Sequence, residues 1–383
     1  MKRAFLNIAI CALLGTMFVG CKAFHTIQSG ENATGKPYEL VVVCAQQAWI
    51  SELGDTLQAI LKQPVAELPI YEPMFDVMRI LPNNFKSLTE RHRNILVVNV
   101  SPDIKEPALA VKYDATAKPQ VYIVAQGPDN HTLAQYVSEN RENLLYVLEK
   151  AERDRRVSYA SAFPSQSLTP LVEQMFSVKM PIPDDYTLRT KSEDMVWISQ
   201  EFPTASEGFF IYKYPYEGVE SLKLDALIKA RNRFASRIPG PREGSYMTTV
   251  SKVVDETGEN YIPTKPEYKT IRIGDQPWIV MSGLWEVENY YMGGPFVSYT
   301  TVNKATNEVI TIDCYVYNPK KPKKRNMLRD LQHLVYLVNF PTQDTATGKK
   351  LYFIINKLKM PSLGSAFFLI FVLTLHIIQR QIT

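Results

Sequence analysis

The chain has 383 residues, 45% hydrophobic and 21% charged, a globular make-up that excludes a disordered or fibrous protein. Its 43 basic and 39 acidic residues leave a net charge of +4, small and partly owed to the two ends, which argues against a nucleic-acid partner. The four cysteines show neither a CxxC nor a metal-finger spacing, which removes the commonest structural-metal and thiol-redox classes.

The first element is a leader. Lys2 and Arg3 precede an almost unbroken apolar run from Ala4 to Val19, the charged head and apolar stretch of a secretory signal, too short for an ordinary spanning helix. The run ends Phe18-Val19-Gly20-Cys21. This resembles the bacterial lipobox, in which a signal peptidase cuts before a cysteine that carries acyl chains. The small Gly20 fits such a cleavage site, although leucine is usual where Phe18 stands. The resemblance implies a membrane partner through acyl chains on Cys21, with residues 1–20 removed and 21–35 a polar tether. Lys22 and Ala23 follow, with no acidic cluster, and point to the periplasmic face of the outer membrane. Cys44 and Cys314 lie in apolar, strand-like runs and read as two buried free thiols or as one long-range disulfide.

Residues 36–160 read as an N-terminal α/β lobe. "ELVVVC" (39–44) is a buried strand, and Trp49, Leu53, Leu57, Ile60 and Leu61 follow at helical spacing until Pro64. The segment 64–82 is punctuated by prolines and reads as irregular. "RNILVVNV" (93–100) and "PQVYIVAQG" (119–127) are strands. Asp129 stands as the N-cap of a long helix with Leu133, Val137, Leu144, Leu145 and Leu148 on one stripe, ending in the charged turn "EKAERDRR".

Residues 161–340 read as a C-terminal α+β lobe. A helix near 166–178 leads to strands at 194–202 and 208–216 and a helix at 221–236. Strands follow near 245–254, 268–273, 277–288, 295–303 and 308–317, and a last helix at 326–338. Strand after strand argues for antiparallel pairing, so the expected fold is α+β, two lobes of mixed or antiparallel sheet packed with helices.

Several stretches look familiar: "GKPYELVVV" (35–43), "ELGDTL" (52–57), "HRNILVVNV" (92–100), "MGGPFVSYT" (292–300) and "KKRNMLRDL" (323–331). They resemble an uncharacterised lipoprotein family of the Bacteroides group, a domain of unknown function, over roughly residues 35–338. The resemblance implies a lipid-anchored envelope protein and brings no catalytic residues. The pattern stops near 340, yet residues 341–383 continue with a short apolar run, Ala366–Ile378. That run reads as a marginal membrane segment, as non-native read-through or as a core helix.

Chemical motifs are sparse. "GENATGKP" (30–37) approaches a phosphate-binding loop, but Pro37 replaces the hydroxyl that should hold Mg²⁺, and a strand follows instead of a helix. No nucleotide fingerprint, GxSxG, SxxK or HExxH occurs, and the histidines stand singly, so neither a cofactor nor a metal is expected. Glu286 and Glu288 point to one side of a strand, and Glu52 and Asp55 sit one helical turn apart; solvent-facing glutamates explain both. Phe210, Tyr212, Tyr214 and Tyr216 share a strand face, and Trp285, Tyr290, Tyr291, Phe296 and Tyr299 crowd around Gly293-Gly294, read as a turn. Tyr212, Tyr214, Tyr216 and Trp285 are therefore candidate ligand-binding aromatics. Lys323, Lys324 and Arg325 before the last helix are a candidate anion site. The expectation is a lipid-anchored envelope protein, an accessory or binding module with an envelope protein or glycan as partner. A periplasmic enzyme acting on glycan, peptide or lipid is the alternative.

Overall fold

In a computed structural model the described residues are 31–340, apart from 255, 256, 258 and 320–323. The signal, Cys21, Lys323 and the tail 341–383 lie outside them. The first lobe is a five-stranded sheet of β1 (Glu39–Val43), β2 (Asp76–Ile80), β3 (Asn94–Val100), β4 (Ala108–Tyr113) and β5 (Val121–Gly127), ordered β2-β1-β3-β5-β4. The first four in that order run parallel and β4 is antiparallel. Helices α1 (Glu52–Leu61), α2 (Asn130–Glu139) and α3 (Arg141–Ala162) follow their strands. Leu40, Val42, Leu96, Ile123 and Ala125 bury one sheet face against Leu53, Leu57, Leu133 and Val137. Ser51 and Asp129 cap α1 and α2 through Leu53 N–H and Thr132 N–H.

Two readings are corrected here. The segment 64–82 is not wholly irregular, because β2 lies in it as a half-exposed edge strand whose side chains need no apolar alternation. The "EKAERDRR" stretch is not a turn: α3 runs through it to Ala162. Glu149, Glu152 and Arg155 face inward at helical spacing, while Lys150 and Asp154 pair on the exposed side. Glu152 accepts from Tyr38 N–H (3.2 Å), Arg93 (2.7 Å) and Asn94 (2.6 Å), and Glu149 accepts from Tyr38 Oη at 3.2 Å.

A short α4 (Leu168–Phe176) leads to the second lobe, an eight-stranded antiparallel sheet. Its strands are β6 (Thr187–Lys191), β7 (Met195–Phe202), β8 (Ala205–Pro215), β9 (Met247–Thr249), β10 (Glu267–Ile273), β11 (Gln276–Val287), β12 (Tyr290–Asn303) and β13 (Glu308–Tyr317). Their order is β9-β11-β12-β13-β8-β7-β6, with β10 also on β11. Helix α5 (Leu224–Ala235) covers one face and α6 (Arg325–Val335) the other. The fold is α+β with two sheet lobes, as the sequence implies.

Helix α6 also joins the lobes, which pack as one compact unit ending at Asn339. His333 lies 3.1 Å from Tyr38 Oη, and Gln332 donates to Tyr299 Oη at 3.1 Å. Arg325 donates to Pro73 O (2.6 Å) and Asp76 (2.9 Å). Charges so withdrawn from water must be paired, and for Arg325 the partners, Pro73 and Asp76, lie in the first lobe.

Candidate functional site

The aromatic row of β8 is real, but it is not open. Alternation puts Phe210, Tyr212 and Tyr214 on one sheet face, and α5 lies on that face because Leu227, Ala230, Arg231 and Phe234 form its buried stripe. Phe234 stacks on Tyr212 with ring centroids 4.3 Å apart. Tyr212 is buried and Tyr214 and Tyr216 are half-buried, so the expectation of an exposed tyrosine cluster is corrected: the helix has taken Tyr212 and Tyr214 into its core. Beneath them Arg231 and Asp313, both wholly buried, form a bidentate pair at 2.8 and 3.1 Å, and Ser298 also donates to Asp313.

Helix α5 ends at Ala235, before the sheet face does. Past it, the chain from Ile238 to Pro241 and Met247 forms one wall of a cleft of about 570 Å³. Trp197, Trp285, Tyr315 and Tyr317 line it from β7, β11 and β13, and Phe202 at the end of β7 and Pro203 in the turn after it border one side. Small residues lie between the tall ones: Gly208 opposes Tyr315, Ser206 opposes Tyr317, and Gly294 opposes Trp285 across the ladder. That alternation makes the face concave.

The walls are fixed by hydrogen bonds. Trp197 Nε1 donates to Tyr315 Oη at 2.9 Å. Trp285 Nε1 donates to Val316 O at 3.2 Å, reaching across β12 where Gly294 has no side chain. A Cβ at Gly294 would lie 2.0 Å from Val316 O and 3.2 Å from the indole nitrogen. The Gly293-Gly294 pair is thus corrected from a turn to the interior of β12, with close approach as its cause; the turn falls at Asn289, whose φ is +62°. Trp285 and Tyr315 meet edge to face at 5.6 Å and 82°. Burial pushes the Tyr315 hydroxyl up to about 12, so it stays a neutral hydrogen-bonding group.

Polar groups are few. Glu201 follows Trp197 and Ser199 on the same face of β7. Its Oε1 accepts from Ser199 Oγ (2.8 Å) and Ser206 Oγ (3.0 Å) and lies 3.6 Å from Arg189 Nη2.

Of the sequence-derived candidates, Trp285 lines this cleft and the three tyrosines do not. Trp197, Tyr315 and Tyr317 went unnoticed because only cross-strand register brings them to Trp285. Glu286 and Glu288 are exposed at the end of β11, with Arg242 and Tyr290 around a separate open depression. Partial burial and the neighbouring Glu288 charge raise the Glu286 carboxyl.

The candidate anion site is corrected too. Lys324 N–H and Arg325 N–H, at the start of α6, donate to the buried Glu72 carboxylate at 2.7 and 2.9 Å. The protein supplies its own anion to that helix end, and the Arg325 guanidinium is spent on Asp76 and Pro73.

His92 is buried against Asn94 O (3.1 Å), His333 against Tyr38, and His131 is exposed beside Glu52 (2.8 Å). Cys44 and Cys314 are free and buried. Among the described residues no group of three or more His, Cys, Asp or Glu is set to hold a metal, and no helix is long and apolar enough to cross a membrane.

Residues 165–336 match a family model described as a domain of unknown function, DUF4837, and residues 33–159 match another, DUF8532. The two matches cover the two lobes in turn and support an uncharacterised family. No curated protein matches the chain. Among solved structures, a mutant of the protein Mog1 aligns with 44% of this chain and 93% of its own at 10% identity, with a TM-score of 0.26 that carries no argument.

Proposed function

We propose that the chain is a non-catalytic binding module of the cell envelope, held to a bilayer by acyl chains on Cys21, with the cleft at the open end of the eight-stranded sheet as its binding surface. The cleft is the observation that carries the reading. Its volume of about 570 Å³ falls within the range of ligand sites, roughly 300–1,000 Å³. Three of its rings, Trp197, Trp285 and Tyr315, are tied by hydrogen bonds, so less ordering remains for binding to cost. Ring contacts in such a setting add about 0.5–1.5 kcal/mol each beyond area burial. Glu201 is the one carboxylate among the lining residues, and Ser199 and Ser206 already hold it, an arrangement suited to anchoring more than to proton transfer. The leader, Gly20 and Cys21 support the envelope address, since two or three acyl chains anchor stably where one does not.

The test uses the full chain in detergent and 2-phenylethanol as a neutral ring probe, read by NMR at the indole N–H of the four tryptophans. Trp197 and Trp285 should shift saturably while Trp49, in the other lobe, stays put. Thr204→Trp, at an exposed lining position in the turn after β7, should abolish the shift by filling the cleft. No shift, or an equal shift at Trp49, overturns the cleft as binding surface.

A further inference from the structure

We infer that the cleft takes a small organic ammonium, with the cation against the ring faces and its charge completed by Glu201. This rests on the cleft being the binding surface. Two independent features of the lining point to a cation over a neutral ring. The first is the π surface: the half-buried Trp197 and Tyr317 line the concavity, backed by the buried Trp285 and Tyr315, and aromatic rings attract ammonium groups, most strongly when both are withdrawn from water.

The second is the carboxylate's geometry. Trp197, Ser199 and Glu201 alternate onto one face of β7, so the carboxylate stands on the ring side of the sheet. Both serine hydroxyls and the longer Arg189 contact converge on Oε1. The serine bonds orient the carboxylate through Oε1 alone, so the other oxygen of this exposed lining residue keeps its lone pairs for a cation. A neutral ligand would gain from the rings alone. An anion would meet the electron-rich faces and Glu201 together.

The shared chemistry fits a free amine or the ammonium of a lipid headgroup. The experiment titrates the full chain with choline and with 3,3-dimethyl-1-butanol, which has the same shape with carbon in place of nitrogen. The Trp197 and Trp285 indole signals report both. Choline should bind about tenfold more tightly, the factor equivalent to about 1.4 kcal/mol. Glu201→Gln keeps the serine bonds and should weaken choline about fivefold while leaving the alcohol unchanged. Glycerophosphocholine, run alongside, separates the sources: tighter than choline names a headgroup, weaker names a free amine. Equal binding of choline and the alcohol overturns the ammonium inference and leaves the cleft standing. Silence from choline, the alcohol and 2-phenylethanol alike overturns both.

Discussion

Gly294 shows how a single missing side chain builds the cleft. The Trp285 indole crosses β12 at that position to reach Val316 O, and a Cβ there would collide with the same carbonyl. Gly294→Ala should therefore cost about 1–3 kcal/mol through overpacking, seen as a lower Tm by calorimetry. An unchanged Tm would mean that the indole does not lie there. At the same scale, Glu207 is buried and accepts from Tyr186 Oη at 2.7 Å. Burial first, then the Asp330 charge, pushes its carboxyl from the ordinary 4.5 up to about 8. The folded chain thus holds this proton more tightly than the unfolded one. The resulting stability is complete below pH 4.5 and is lost as the pH rises through about 8. His333 has the opposite sign: burial lowers it from 6.5 to about 3, and its contribution is lost as the pH falls through that window. Urea unfolding between pH 5 and 8 should show Glu207→Gln with a flatter decline than the parent; equal slopes would contradict the assignment.

At the scale of elements, α5 joins a legible pattern to an illegible one. Leu224, Leu227, Ile228 and Arg231 mark a helix from spacing alone, but nothing local says that Arg231 points inward or that Asp313, 82 residues away, awaits it. Removing one member of a wholly buried pair strands the other charge. Asp313→Asn should cost about 3–5 kcal/mol by urea titration, and a loss below about 1 kcal/mol would show the pair to be dispensable. The same blindness explains α3. Charged residues in a row look like a solvated turn, whereas here Glu149, Glu152 and Arg155 are consumed by contacts to Tyr38, Arg93 and Asn94. Strands β2 and β6 escaped for a simpler reason. Both are edges, and the five residues of β6 are all exposed, so no apolar alternation betrays them. The long central strands β8, β11, β12 and β13 were legible because both of their faces are covered and their apolar runs are long.

At the scale of the whole molecule, the class and the two lobes follow from the order of elements, while the cleft follows from register. Trp197, Trp285 and Tyr315 occupy three strands separated by long stretches of chain, and only the antiparallel ladder aligns them with Gly208 and Gly294. The tether adds a second claim at this scale. Cys21→Ser should move the protein from the membrane to the soluble envelope fraction and block maturation, and unchanged fractionation would contradict acylation at that residue. The claim on which the rest turns is that the aromatic cleft is where this protein meets its ligand. The most direct measurement is a crystal structure of the protein soaked with 4-bromophenylethanol, with the bromine located by its anomalous signal. The account predicts a bromine peak between Trp197 and Trp285, and peaks found only elsewhere would contradict it.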